Sequence, residues 1–162
     1  MSGRWTTRVR FSVAIIVAMI LAATASADAH AGEPAEYRDA VRRAAGNALG
    51  MVNAPYRFGG SHPLTGFDCS GLIQFSYRQA GLAVPRSTDE QRRASRPVGL
   101  ADLRPGDLLF FDQEGKKNSH VGIYVGNGRF VHAPSSGKRV RSDELKVPYW
   151  RKHISEARRF NG

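Results

Sequence analysis

Apolar residues recur at helical spacing from about Glu33 onward: Tyr37, Val41, Ala44, Ala45, Leu49 and Val52. Gly50 weakens that helix and Asn53-Ala54-Pro55 ends it. A polar, glycine-rich connection, Gly59 to Gly66, then delivers the chain to Asp68, a good N-cap residue. The pattern predicts a second helix from about Cys69 to Ala80, stopped by Gly81, with Leu72, Ile73, Ser76 and Ala80 on the face of Cys69. Ser87-Thr88-Asp89-Glu90 has the form of a capping box and opens a shorter third helix. After Arg96-Pro97 the period changes. Arg104-Pro105-Gly106-Asp107 reads as a type II turn, and Leu108 to Phe111 as a short, wholly apolar strand. His120 to Val125 and Arg129 to Ala133 alternate around Gly126-Asn127-Gly128, a hairpin signal. Arg139 to Arg141 and Glu156 to Phe160 are weaker candidate strands. Helices first and an antiparallel sheet afterwards make the fold class α+β.

The first 31 residues carry a different pattern. A basic stretch to Arg10 precedes the apolar run Phe11 to Ala25, and small residues follow in three overlapping A-x-A patterns ending at Ala27, Ala29 and Ala31. That order is a secretory signal, cleaved at about 27–31 and leaving residues 32–162 as one domain. An uncleaved anchor is the alternative, but the apolar run is short of the roughly 20 residues a span needs. Of 162 residues, 41% are hydrophobic and 23% charged, values of a globular chain. The formal charge of +10 falls when the leader's Arg4, Arg8 and Arg10 are removed: 21 basic residues stand against 14 acidic ones, a net of +7. That balance favours anionic partners. The charge is scattered and the chain exported, which argues against nucleic acid.

A single cysteine in an exported chain cannot form an intramolecular disulfide. It is then an inert thiol, an intermolecular bridge or a nucleophile, and its surroundings favour the last. At a helix start, Cys69 meets the positive end of the helix dipole and free backbone N–H groups, which lower a thiol pKa and can bind an oxyanion. Gly71 would keep that turn open to substrate. If the hairpin loop is the three residues Gly126-Asn127-Gly128, Val125 faces Arg129 and Gly122 faces His132. His120 is then a diagonal neighbour of His132 on one sheet face, while Val121, Ile123, Val125 and Val131 take the other. A two-residue loop would put the histidines on opposite faces. With the three-residue loop, a helix-start cysteine packed against that face gives nucleophilic catalysis: His120 takes the Cys69 proton and His132 orients His120. His30, His62 and His153 read as ordinary histidines, with His62 a weak substrate contact.

Tyr56-Arg57-Phe58-Gly59-Gly60, Asp68-Cys69-Ser70-Gly71, Pro85-Arg86-Ser87-Thr88, Pro105-Gly106-Asp107-Leu108, His120 to Gly126, Phe130 to Ala133 and Ala157-Arg158-Arg159 together resemble the NlpC/P60 family of cell-wall peptidases. The ordered set spans about Ala35 to Phe160. The resemblance implies a papain-like fold, the cysteine helix packed on an antiparallel sheet that bears the histidines. It implies Cys69 as nucleophile, His120 as general base and His132 as the orienting residue. It also implies Tyr56 near the oxyanion, and Asp68, Ser70 and Ser87 along the substrate groove. Pro148-Tyr149-Trp150-Arg151-Lys152 is similar to single-domain, Gram-negative members of the Spr type, although the lipid-attachment cysteine is missing.

The expected activity is hydrolysis of an amide in peptidoglycan stem peptides or cross-links, γ-D-glutamyl–diaminopimelate or D-alanyl–diaminopimelate. No cofactor and no metal are needed, and the chain is expected to be a monomer, periplasmic or secreted, without stable membrane insertion after cleavage. Three other readings compete. Cys69, His120 and His132 are a legitimate zinc ligand set, though no short-spaced ligand pair accompanies them. The same triad serves an acyltransferase, and the same fold a non-catalytic wall-binding module.

Overall fold

The computed structural model describes residues 32–113, 115–135 and 138–162. The expected leader, residues 1–31, lies outside them. Among the described residues no helix is long and apolar enough to cross a membrane.

Helix α1, Ala35–Gly50, buries Ala40, Ala44, Ala45 and Ala48. Its apolar stripe is made of alanines, and Leu49 is exposed. Small side chains let α1 lie close to α2, Cys69–Gln79, where Asn47 Nδ2 donates to the Ser76 carbonyl at 3.0 Å. Helix α2 buries Leu72 and Ile73 completely, each contributing roughly 1.5–3 kcal/mol of transfer free energy. It ends as expected: Gly81 takes φ +85° and Leu82 N donates back to the Tyr77 carbonyl at 3.0 Å.

The connection from Gly59 to Gly66 is more ordered than its glycines suggest. It holds a small hairpin, β1 (Ser61–His62) against β2 (Gly66–Phe67). Helix α3, Thr88–Arg93, has the capping box read from its sequence, with Ser87 and Glu90 bonded reciprocally.

The six strands β3 (Ser95–Val98), β4 (Leu108–Gln113), β5 (Lys116–Gly126), β6 (Arg129–His132), β7 (Arg141–Glu144) and β8 (Ile154–Phe160) form one antiparallel sheet in the order β3-β8-β4-β5-β6-β7. β3 begins before Pro97, which an edge strand tolerates because one side of it needs no N–H. β7 begins at Arg141, the last residue of the expected Arg139–Arg141 strand, and runs on to Glu144. Helix α4, Pro148–His153, interrupts what reads as polar chain and buries Trp150.

The sheet separates two apolar layers. Phe110, Val121, Ile123 and Val131 pack with Leu72 and Ile73 on the side of α1 and α2. Leu109, Phe111, Phe130 and Ala157 pack with Trp150 on the other. At the start of β4, Gly106 takes φ +103° and Asp107 N donates to the Arg104 carbonyl at 3.0 Å, the expected type II turn. Asp107 then holds Arg159 of β8 in a buried, bidentate pair at 2.6 and 2.7 Å. The motif residues Asp107 and Arg159 therefore serve the sheet.

Candidate active site

Cys69 is the first residue of α2, capped by Asp68, whose Oδ1 accepts from Gly71 N at 2.6 Å. Arg86 grips the same carboxylate with two nitrogens, at 3.0 and 2.7 Å, and donates to Ser70 Oγ at 3.0 Å. Asp68 and Ser70 are thus fixed beside the sulfur by one guanidinium. Gly71 has a different role from the one its position suggests. A Cβ there would lie 2.0 Å from the Gly60 carbonyl oxygen, so its open side is filled by the Gly60 turn and not left to substrate.

The sulfur itself meets Thr88 Oγ1 at 3.6 Å, and the backbone N–H groups of Val121 and Ser70 hydrogen-bond to it. Thr88 is held there by α3, whose buried Gln91 donates to the Ser70 and Pro85 carbonyls at 2.9 and 2.8 Å. Ser87, expected along the groove, spends its hydroxyl on the cap, donating to Glu90 Oε2 at 2.6 Å. Tyr56 stands close enough to Cys69 and Asp68 for their charges, after burial, to raise its hydroxyl pKa. Burial also pushes the Cys69 thiol up from its ordinary 9.0, against the opposing bonds from Thr88, Val121 and Ser70. Desolvation of the sulfur outweighs the lowering expected of a helix start.

The histidines share a face, by a route the sequence leaves open. The turn is two residues long: Asn127 and Gly128 take φ +53° and +69°, and Gly126 pairs with Arg129. The register then shifts between Tyr124 and Gly126, so that Tyr124 faces Phe130 and Ile123 faces Val131. This bulge supplies the residue by which the loop is shorter than expected, and the strand bodies keep the same pairing. His120 Nε2 lies 2.8 Å from His132 Nδ1. A Cβ on Gly122 would come within 2.7 Å of Phe130 Cδ2 and 3.3 Å of His132 Cβ, so the space beside the rings is taken.

The face is not the one α2 covers, contrary to expectation. Helix α2 packs on the Val121, Ile123 and Val131 side, and the histidines turn towards Trp150, whose ring lies 4.9 Å from His132 and 6.2 Å from His120. Cys69 meets the sheet at β5, where the N–H of Val121, the residue after His120, reaches the sulfur.

Asp143 of β7, which the sequence pattern does not single out, extends the line. Its Oδ2 accepts from His132 Nε2 at 3.1 Å, Arg141 Nε at 3.0 Å and Trp150 Nε1 at 3.0 Å. The hydrogen bond from His132 and then the Arg141 guanidinium, against burial, hold its carboxyl at about 2. Burial, then the neighbouring His132 and Arg141, lowers His120 to about 3. Burial also lowers His132, against the hydrogen bond to Asp143. Both rings are therefore neutral at pH 7, and their tautomers follow. Ionised Asp143 can only accept, so Nε2 of His132 carries the proton and its Nδ1 accepts from His120 Nε2–H. The bare nitrogen of His120 is Nδ1. Among the described residues, no three such side chains have metal-holding geometry, and Cys69, His120 and His132 are not arranged as zinc ligands.

The NlpC/P60 family model matches residues 53–159. The chain belongs to the NlpC/P60 family. It is similar to the murein DD-endopeptidase MepH of Escherichia coli (strain K12), 39% identical over 137 residues that cover 82% of this chain and 49% of that protein. Murein DD-endopeptidase MepS/murein LD-carboxypeptidase of the same organism is 48% identical over 105 residues, 64% of this chain and 54% of that one. This member of the family thus spans about half the length of these two relatives. The NlpC/p60 domain of the peptidoglycan hydrolase SagA superposes with a TM-score of 0.63 at 29% identity, over 74% of this chain and 98% of that domain.

Proposed function

We propose that this NlpC/P60 protein is a cell-wall cysteine endopeptidase that cleaves an amide of peptidoglycan peptides, with Cys69 as nucleophile. The observation that carries the reading is the line Asp143–His132–His120, which leaves His120 Nδ1 bare one residue from the N–H that binds the Cys69 sulfur. His120 Nδ1 takes the thiol proton as sulfur bonds to the substrate carbonyl carbon. The oxyanion that forms is met by Tyr56 and by the N–H groups at the start of α2. Asp68 already engages the Gly71 N–H and the resting sulfur that of Ser70, so the N–H of Cys69 is free for this from the outset and that of Ser70 once the sulfur has bonded to carbon. The C–N bond then breaks, and His120 returns the proton to the leaving amine. Water attacks the thioester, giving its proton to His120; the C–S bond breaks and the thiolate recovers that proton. Every step uses side chains, backbone and water. Asp68, Ser70 and Arg86 would line the side of the groove that holds the acyl part.

Murein is the substrate class in the names of MepH and MepS, and the net positive charge suits a carboxylate-rich wall. Either candidate bond, γ-D-glutamyl–diaminopimelate or D-alanyl–diaminopimelate, releases an amine of diaminopimelate. We also assign residues 1–31 to an export signal and residues 32–162 to the catalytic domain, a monomer outside the cytoplasm. The intact mass of the protein recovered from an exporting host tests the boundary. The activity is tested by digesting defined muropeptides and reading products by mass spectrometry beside Cys69→Ala. New diaminopimelate amines with the wild type only are expected; no cleavage of any muropeptide by folded protein would reject the reading.

A further inference from the structure

A cavity of about 660 Å³ lies beyond the histidine relay, lined by Lys138, Arg141, Asp143, Val147, Tyr149 and Trp150 among others. Its volume is that of a small-ligand site. Neither Cys69 nor Tyr56, Asp68 or Ser70 lines it. It is therefore separate from the acyl side of the groove, and it touches the relay at Asp143 and Trp150, the two residues that hold His132.

The lining is unbalanced in charge. Asp143 is its one acid, and that carboxylate is already engaged by Arg141, His132 and Trp150 on a single oxygen. Arg141 uses Nε and Nη2 on Asp143. Among the described residues, its Nη1 and the Nζ of Lys138 have no partner, and the Arg141 side chain is half-exposed. Two cationic donors thus face a cavity whose remaining walls are partly aromatic and aliphatic. A small molecule that complements them has one carboxylate and a short hydrocarbon stem.

We propose that this cavity is a carboxylate subsite for the amine half of the substrate, holding the free carboxylate of the diamino acid whose nitrogen departs. The inference rests on the function proposed above, because that mechanism fixes the side. His120 hands its proton to the leaving amine, so the amine product forms on the side of the histidines, and the cavity is the one bordered by Asp143 and Trp150, which hold His132. Both candidate bonds release a residue with an unconjugated carboxylate, so the subsite serves either. One guanidinium would then be shared: Arg141 donates to Asp143 with two nitrogens and to the bound carboxylate with the third. Occupancy of the cavity and the posture of Asp143 become linked through that side chain.

The test titrates full-length Cys69→Ala protein with meso-diaminopimelate and with its bis-amide, following the indole N–H resonance of Trp150, assigned by its loss in Trp150→Phe. A saturable shift is expected with the dicarboxylate. Binding weakened about tenfold or more is expected with the bis-amide, and likewise with Lys138→Met, since each removes one charge-assisted contact. Lys138 makes no hydrogen bond to the relay, although its charge acts on His132, so Lys138→Met should raise KM for a carboxylated muropeptide by a larger factor than it changes kcat. Equal binding of the bis-amide, or no shift of the Trp150 resonance, overturns the subsite. Because Cys69→Ala cannot turn over, the binding result is independent of catalysis. Muropeptide cleavage without binding removes the subsite alone, whereas binding without cleavage by the wild type removes the hydrolase reading and leaves the cavity its ligand.

Discussion

Asp143 Oδ2 accepts the Nε2 proton of His132 at 3.1 Å, and that one bond decides which nitrogen of His120 is left bare. The carboxylate acts two rings away from the thiol. Asp143→Asn keeps the shape and an acceptor oxygen but removes the charge that favours the relay when His120 becomes imidazolium. A fall in kcat of roughly 10²-fold or more is expected, with KM little changed, since general acid–base effects have this size. A structural role alone would instead appear as lost stability with kcat per folded molecule intact. Steady-state kinetics beside thermal unfolding separates the two.

The buried, neutral histidines make stability depend on pH. His120 is lowered to about 3 by burial and by its cationic neighbours, from an unfolded value near 6.5. Between those values the unfolded chain binds a proton that the native chain refuses, so stability falls as pH drops through the window. His132, also lowered by burial, adds to the same slope. Asp143 is held at about 2 and stays ionised in the native state below 3.8, which extends the loss to lower pH with the same sign. Urea unfolding should therefore show a loss on the order of a few kcal/mol between pH 6.5 and 4. His120→Asn should flatten that slope. An unchanged slope in the variant would show that His120 does not titrate as its burial requires.

Gly71 and Gly122 are glycines of packing. A methyl on Gly71 would sit 2.0 Å from a backbone oxygen, and one on Gly122 within 2.7 Å of the Phe130 ring. Gly71→Ala has to push the Gly60 turn off α2 and is expected to cost about 1–3 kcal/mol or more. Gly122→Ala can be met by a turn of the Phe130 ring, at the expense of the 2.8 Å contact between the histidines. The first should therefore lower the melting temperature more, and the second should lower kcat more. Differential scanning calorimetry with parallel kinetics checks the order.

Much of this was legible in the chain, and the omissions have physical causes. Asp68 announces α2 because a carboxylate at that point satisfies a free helix N–H, and Ser87 to Glu90 announce α3 in the same way. Local chemistry writes such signals directly. The pairing of His120 with His132 was legible only as a conditional, since turn and bulge trade one residue between them without changing the strand bodies. Asp143 was invisible. Its role depends on β7 lying beside β6 and on Trp150 of α4 reaching back over both, contacts that no local period encodes. Helix α4 hid for a related reason: Pro148 starts it well, but its six residues are mostly polar and only Trp150 is buried. The side of the sheet taken by the histidines was misjudged because alternation tells which residues share a face, not which layer covers that face.

The buried pair of Asp107 and Arg159 ties β8 to the first turn of β4, with Arg159 also donating to the Asp102 carbonyl at 3.0 Å. Removing one partner leaves the other charged and dry, which typically costs 3–5 kcal/mol. Arg159→Met is thus expected to lower stability by about that amount while leaving kcat per folded molecule unchanged, as the pair has no contact with Cys69 or the histidines. Denaturant titration together with active-site counting by thiol labelling tests it; a kcat defect in fully folded protein would contradict a purely structural pair.

The resting state of Cys69 is open to the same kind of measurement. Burial raises its thiol above the ordinary 9.0, and His120 is held neutral, so the resting protein holds a thiol and a neutral imidazole and not an ion pair. Alkylation by iodoacetamide should then be slow at pH 7 and accelerate only above pH 9, because the thiolate is the reactive species. The hydroxyl of Thr88 favours the thiolate by bonding to it at 3.6 Å. Thr88→Val removes that bond, so the thiol pKa should rise further and alkylation at pH 8 should slow, by severalfold. Acceleration in Thr88→Val, or rapid alkylation of the wild type at pH 6, would place the proton on His120 before substrate arrives. Transfer during the attack, as proposed, predicts the opposite on both counts.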